Sequence, residues 1–599
     1  MGSLNTPRDL DQFVGGTPIQ DDNDGPYTVS EHLLWAPRRV RVACIGAGAS
    51  GIMMCYKKDK EFGDSMELVV YERYPKCGGV WYANKYPGCR CDVPSPAYQY
   101  AFAPKSDWSR YYSPAKEIQE YYQTFVEEHG YLDKYIKLTH VVEEAVWDGT
   151  ASQWVLKITD TTVPEHPRTF EDRVDFLIAN TGVLNTWKWP DIPHQEHFKG
   201  QITHSANYDT SIELKDKTVI VIGSGASAIQ IVPAIKNEAK KVISFYRTPQ
   251  WIGPGLAIDG LTDNEGRNFD CKYHLPANGE EAHPSVVTQK QKKDFADDYD
   301  AYLRLRKALE TKINTSFKNN LTKHPNQKAA RQFVSERMAK ILNYNKGLTD
   351  RLIPDFPLGC RRLGPAEGFL ESFLEDHVEL AEGDIKAFTE NGLVTVQGQE
   401  YNADVIICAT GFDVSFKPNF PIHGRGGISL GKLWEKDPAA YLSVAARGFP
   451  NFMIGSLGPN CPAGHGSFVT VLEAAQNYVC KVIRKIQVDN IRSIEVKAEA
   501  LAEYNEHIHE WLKRTVWSAG CRSWYNQGRP GGKITAQYPG SLVHWRMMME
   551  NPRFEDYDII YRSRNRFEFM GNGFTYREET GEDVAWYLER DYIDKPLFE

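Results

Sequence analysis

"RVACIGAGASGIMMCYKK", residues 41–58, decides the architecture. A short run of buried-strand character leads into Gly46, Gly48 and Gly51, and an apolar helical stretch follows. In a strand–turn–helix unit of this kind the first glycine permits a tight turn. The second lets the backbone approach a pyrophosphate, and the third lets the helix pack closely on the strand. The helix N-terminus then faces the anion. Downstream, "MELVVYER" (66–73) reads as a second strand ending in Glu72. A carboxylate there accepts hydrogen bonds from a ribose diol and disfavours a 2′-phosphate. The unit therefore predicts a dinucleotide without that phosphate, and FAD fits.

The arrangement recurs in "KTVIVIGSGASAIQIVPAIKN" (217–237), with Gly223, Gly225 and Ala228 at the three key positions. The next strand, "KVISFYRTPQWI" (241–252), ends in Arg247-Thr248 rather than an acid. A guanidinium and a hydroxyl at that point bind a 2′-phosphate through charge-assisted hydrogen bonds. The second nucleotide is therefore expected to be NADPH. "VDFLIANTG" (174–182) and "ADVIICATGFD" (403–413) are both apolar strands ending in a small residue-Thr-Gly turn, one after each unit. Each is read as closing one nucleotide domain. The fold class expected is α/β, with two Rossmann-like dinucleotide-binding domains, for FAD and NADP, and a helical insertion.

Bulk properties agree with a multidomain globular enzyme. The chain has 599 residues, 41% hydrophobic and 12% aromatic, enough for two or three cores. A net charge of −9 spread over 149 charged residues (70 Lys+Arg and 79 Asp+Glu) leaves no basic face for nucleic acid. Eleven cysteines occur without a C-x-x-C pair, and the Cys89/Cys91 spacing suits neither zinc nor a redox disulfide. That usage predicts a reducing compartment, no metal and no redox cysteine pair. No apolar run approaches the length of a bilayer span and the N-terminus lacks a secretory pattern, so a cytoplasmic protein without membrane contact is expected. "MGSLNT" matches the loose myristoylation pattern, a match that arises easily by chance.

Four separated stretches resemble the type I Baeyer–Villiger monooxygenases, flavoproteins that use NADPH and dioxygen to turn ketones into esters or lactones. "FKGQITHSANYD" follows that family's F-x-G-x-x-x-H-x-x-x-[W/Y] fingerprint through Phe198, Gly200, His204 and Tyr208, between the two nucleotide turns. "GGVWYANKYPGCRCD" (78–92) matches its Gly-Gly-x-Trp, Tyr-Pro-Gly and Asp signature at Gly78, Gly79, Trp81, Tyr86, Pro87, Gly88 and Asp92. "FPLGCRRLG" (356–364) places Arg361 where the family usually has a Lys near the 2′-phosphate, and Arg362 where it has the active-site Arg. "CRSWYNQGRPGGK" (521–533) resembles a mobile segment whose Trp, here Trp524, bonds the nicotinamide ribose, with Gly528, Gly531 and Gly532 as hinge positions.

The resemblance implies that NADPH reduces FAD and that dioxygen then gives a peroxyflavin that inserts one oxygen into a ketone. It makes Arg362 and Asp92 catalytic, the carboxylate holding the guanidinium that faces the developing oxyanion. It assigns Gly46, Gly48, Ala49, Ser50, Gly51, Glu72, Arg73, Gly79, Val80, Trp81, Asp92, Tyr98 and Val142 to FAD. To NADP it assigns Arg90, Gly223, Ser224, Gly225, Ala226, Ser227, Ala228, Arg247, Thr248, Arg361 and Trp524. His204 is expected to tie the two domains rather than transfer protons. Three rivals stay open: an N- or S-oxygenating flavin monooxygenase, a disulfide reductase, which would need the missing C-x-x-C, and a non-catalytic nucleotide sensor.

The expected organisation is an N-terminal extension (1–37), an FAD domain in two pieces (38–182 and 400–599), a linker carrying the fingerprint (183–210), and an NADP domain (211–254 and 351–399) interrupted by a helical insertion (255–350). In the insertion, Phe295, Tyr299, Tyr302, Leu305, Leu309 and Ile313 fall at helical spacing. The partners expected are a small-molecule ketone and dioxygen, and nothing in the sequence argues against a monomer.

Overall fold

The computed structural model describes residues 26–253, 287, 289–464 and 466–590. Most of the N-terminal extension with its "MGSLNT" pattern, residues 254–286 and 288, His465 and the last nine residues lie outside that set.

Two five-stranded parallel sheets organise the molecule. The first has the order Phe452–Ile454, Phe176–Ala179, Val40–Ile45, Met66–Tyr71, Ile136–Lys137. Its strands are apolar on both faces because both are covered, as parallel sheets require. Val42 and Cys44 point into a core shared with the helices Ala49–Lys57 and Phe468–Val488. Ala43 and Ile45 point the other way, against Trp147, Trp154 and Leu156 of a four-stranded sheet built from 140–174 and 422–423.

The second sheet has the order Val378–Leu380, Lys241–Phe245, Thr218–Ile222, Val405–Cys408, Gln201–His204. Val219 and Val221 pack under the helix Ala228–Ile235, while Ile220 and Ile222 meet Phe388, Leu393 and Tyr401 of a small antiparallel sheet. Two expectations need correction here. The boundary drawn at 400 cuts off Val405–Cys408, which pairs in parallel with Thr218–Ile222; the chain rejoins the first sheet only at Phe452–Ile454. Part of the supposed linker, Gln201–His204, is an edge strand of the second sheet.

The insertion is helical where described, but not as one rod. Asp298 ends the helix Gln289–Asp297 and caps the next, Tyr299–Thr315, accepting from the Ala301 amide at 2.9 Å. Tyr302, Leu305, Leu309 and Ile313 are buried as the spacing predicts, whereas Tyr299, on the exposed first turn after the break, is 47% accessible. The second helix docks on 95–112: the Tyr302 hydroxyl meets Gln99 and Lys105, and Arg306 Nε donates to Pro96 O at 3.1 Å. Residues 34 and 35 hydrogen-bond to Phe574 and Phe569, which lays the extension against the C-terminal segment.

Candidate active site

The first glycine turn is built as its sequence demands. Gly46 has φ +107°, and a Cβ there would lie 2.7 Å from Asn180 O; at Gly51 a Cβ would lie 1.9 Å from Gly46 O. Only hydrogen fits at either position. Glu72 Oε2 accepts from the Ala47 amide at 2.7 Å and Oε1 from the Tyr74 amide at 2.9 Å. Burial raises the Glu72 carboxyl above its ordinary value against the pull of those amides.

A cavity of about 620 Å³ opens on this turn. Gly46, Gly48, Ala49, Ser50, Glu72, Arg73, Gly79, Val80, Trp81, Tyr98 and Val142 all line it, so the structure gathers residues scattered over a hundred positions. Gly51 lies beneath, and Gly79 touches the turn itself, since a Cβ there would be 3.0 Å from Gly48 Cα. A cradle of bare backbone with a carboxylate at its far end fits a dinucleotide with a free ribose diol. The lining also includes residues that the sequence did not single out, notably Asn180 and Phe468. Asn180 belongs to a buried polar chain, Gln476 to Asn180 at 2.9 Å and Asn180 to the Cys44 sulfur at 2.9 Å. Its one signal was its place in the Asn-Thr-Gly turn.

The second turn repeats the construction. Gly223 has φ +133°, a Cβ there would be 2.3 Å from Ala409 O, and Gly225 faces open space. Ser224 Oγ donates to Thr248 O at 2.6 Å, and Ala228 is buried where the helix meets the sheet. Arg361 Nη1 donates to Thr248 O and Pro249 O at 3.2 and 3.0 Å. Burial, and then the like charge of Arg247, lower the Arg361 guanidinium to about 10. Two cations that repel each other beside a phosphate cradle fit an extra phosphate between them.

Gln230 joins the two halves and was not foreseen. Buried at 5% exposure, it accepts from the Tyr86 hydroxyl at 2.9 Å and donates to Arg90 O at 3.0 Å, docking the 86–92 loop on the second-sheet helix. A single amide in the apolar run Ala-Ile-Gln-Ile-Val was the available signal. Arg90 Nη1 continues to Glu367 at 3.3 Å.

That loop delivers Asp92 to Arg362. Arg362 Nη2 donates to Asp92 Oδ1 at 2.8 Å and Nε donates to Oδ2, a bidentate pair, while Nη1 donates to Ala463 O at 3.0 Å. Burial works against the guanidinium's charge, but Asp92 outweighs it and holds the proton above the ordinary arginine range. Neither residue lines the cavity itself. Arg362 reaches it through Phe468, whose ring lies 5.1 Å beneath the guanidinium, and Tyr98, another lining residue, feels both charges. Trp81 donates from its indole to the Tyr98 hydroxyl at 3.1 Å.

His204 is buried, stacked on Trp187 at 4.5 Å, with Nε2 at 3.1 Å from the Thr410 hydroxyl and Nδ1 accepting from the Ala206 amide. Burial lowers it to about 4, which leaves it neutral and structural. Trp524 does not reach the cavity; it packs with Phe317, Trp517 and Tyr525 in a separate aromatic cluster. The absence of C-x-x-C gave no hint of a cystine, yet Cys360 and Cys521 are disulfide-bonded, a pairing across 161 residues that no local spacing could reveal. A metal-ligating geometry, also not expected, occurs at the exposed His194, Glu196 and His197, whose ligand atoms lie within 4.8 Å of one another. Among the described residues no helix is long and apolar enough to cross a membrane.

Two phosphate-cradling turns on two parallel sheets, with a fixed cation beside the first cavity, define a protein of the two-dinucleotide class. A sequence profile of flavin-binding monooxygenase-like proteins matches residues 39–263. The chain is 36% identical to the FAD-binding monooxygenase tazF of Aspergillus terreus over 92% of this chain and 95% of that one. It is 30% identical to a Baeyer–Villiger monooxygenase of Streptomyces coelicolor over 87% of this chain and 93% of that one. The fold is similar to that of cyclohexanone monooxygenase from Rhodococcus sp. Phi1 bound to NADP+, with a TM-score of 0.71 and 23% identity, covering 88% of this chain and 100% of that one. The protein belongs to the Baeyer–Villiger monooxygenase family of flavin-binding monooxygenases.

Proposed function

We propose that this enzyme, with FAD and NADPH as cofactors, inserts one oxygen atom of dioxygen into a ketone to give an ester or lactone. The observation that carries this reading is the bidentate Arg362–Asp92 pair stacked on a ring of the cavity wall. The Gly46–Gly51 turn with Glu72 would hold FAD, and the Gly223–Ala228 turn with Arg247, Thr248 and Arg361 would hold NADPH. Arg90, from the loop docked on that helix, and Trp524 would complete the NADPH site. When bound, FAD supplies the redox and oxygen-activating chemistry, drawing its hydride from NADPH.

What the chain itself contributes is a cation that cannot discharge. Oxygen attack on a ketone turns the carbonyl oxygen into an anion before a carbon migrates. The hydrogen bonds described above use three of the five guanidinium donors of Arg362, leaving two to face that anion. Asp92 fixes the plane of the guanidinium, so no side-chain reorganisation accompanies the charge. Oxygenation of a soft nitrogen or sulfur creates no such anion and has no use for this pair. A single donor of this kind contributes about 3–4 kcal/mol. Arg362→Ala is therefore expected to lower ester formation by a factor of about 10²–10³ while NADPH is still consumed and hydrogen peroxide appears. A variant that forms ester at the parent rate, or a parent that oxygenates sulfides and leaves every ketone of a broad panel untouched, would refute the proposal.

A further inference from the structure

Cys360 and Cys521 take no part in the chemistry above, yet the segments they join do. Their Cα atoms lie 6.4 Å apart and their sulfurs are bonded. On one side the chain is fixed at every step: Gln327 Nε2 donates to Leu358 O at 2.8 Å, Arg361 is held by Thr248 and Pro249, and Arg362 by Asp92 and Ala463. On the other side Ser518, Ala519, Gly520 and Arg522 are exposed, with Gly520 at φ +85°. Cys521, 7% exposed, is the buried point of that turn. Trp524 and Tyr525 follow at once, and the Tyr525 hydroxyl feels the charges of Arg362 and Asp92.

The bond sets this pair apart from the other described cysteines, which are free. Cys360 is fully buried and Cys521 7% exposed, so peroxide and dithiol reach the pair only when the exposed 518–522 turn opens. Burial raises the thiols of Cys44, Cys77, Cys408, Cys461 and Cys480 to about 12, and each stays protonated without a cysteine partner.

We propose that Cys360 and Cys521 form a thiol–disulfide site that hydrogen peroxide closes and a small dithiol reductant opens, pinning the 518–533 stretch to the arginine segment when closed. One thiolate attacks a peroxide oxygen; the O–O bond breaks, hydroxide leaves and takes a proton, and a sulfenic acid remains. The second thiolate attacks that sulfur, the S–O bond breaks, a second water leaves and the S–S bond forms. Two thiols lose two electrons in all, and one peroxide becomes two waters. Opening runs by thiol–disulfide exchange, the dithiol being oxidised as the pair is reduced. Peroxide released by turnover that fails to oxygenate substrate arises beside Arg362, two residues from Cys360. The link thus tightens the segment in response to the enzyme's own leak. This consequence for turnover rests on the reading of Arg362 given above; the link does not.

The full-length holoenzyme is treated with hydrogen peroxide or with dithiothreitol, alkylated, and mapped by mass spectrometry without further reduction. A Cys360–Cys521 linked peptide after peroxide, and two alkylated cysteines after dithiothreitol, are expected. Trypsin should cut after Arg522 about tenfold faster in the reduced protein, because the tether no longer suppresses opening. Hydrogen peroxide formed per NADPH should rise several-fold on reduction. Cys521→Ser, or Cys360→Ser should the first not fold, should behave as the reduced protein under both treatments. Absence of the linked peptide, a link to any other cysteine, or equal cleavage and peroxide yield in both states would overturn the proposal. The map is blind to substrate, so a linked pair in an enzyme that makes no ester would sink the ketone reading alone. An ester-forming enzyme without the link would sink only this one.

Discussion

Glu310 lies on the insertion helix Tyr299–Thr315, where burial pushes its carboxyl up to about 7; Arg546 and Arg306 pull it down and Glu473 pushes with the burial. Between the ordinary glutamate value and about 7 the folded protein keeps a proton that the unfolded chain has lost. Stability is therefore greatest below that window and falls as pH rises through it, by about 3 kcal/mol at most. Glu310→Gln should remove the slope. Thermal unfolding of parent and variant at pH 5 and pH 8 tests this: the parent should lose more between the two values, and parallel losses would show that Glu310 is not the group responsible. Arg362 is the opposite case. Its partner outweighs burial, so its charge is present over the whole working range and adds no pH dependence of its own.

Among elements, the helix Ala228–Ile235 does two jobs, packing on the second sheet with its apolar side and holding the 86–92 loop with Gln230. Gln230→Ala takes one partner from the Tyr86 hydroxyl and the side-chain donor from the Arg90 carbonyl, a cost of about 1–3 kcal/mol. A lowered thermal midpoint together with weaker NADPH binding, read from the NADPH dependence of flavin reduction, is expected. An unchanged midpoint would mean that the loop is held by something else. Elements such as these mark how far the sequence could be read. Both glycine turns and their strands were legible because each depends on a few neighbouring residues. The approach of Asp92 to Arg362 was legible only through the resemblance, since 270 positions separate them. Gln230, the place of Val405–Cys408 in the second sheet and the Cys360–Cys521 bond were not legible, because each is fixed by packing between distant segments. Tyr299 was misread because the stripe of apolar spacing runs through Asp298, which ends one helix and caps the next.

At the scale of the molecule, the two sheets are threaded through one another. The first opens with Val40–Ile45 but takes its outer strand from Phe452–Ile454, and its covering helix, Phe468–Val488, packs on Ala49–Lys57. The second sheet is complete by Cys408. During synthesis the ribosome therefore releases the later unit's full set of strands while the earlier unit still lacks an edge and a face. Chains grow at about 5–20 residues per second, so the half-built sheet waits on that timescale with apolar surface uncovered. Nascent chains arrested after residue 440 should resist protease across 201–253 and 325–408 and remain cleavable across 40–180. Equal resistance in both regions would mean that the N-terminal unit stands without its late strand, and that the order of emergence sets no demand for chaperones.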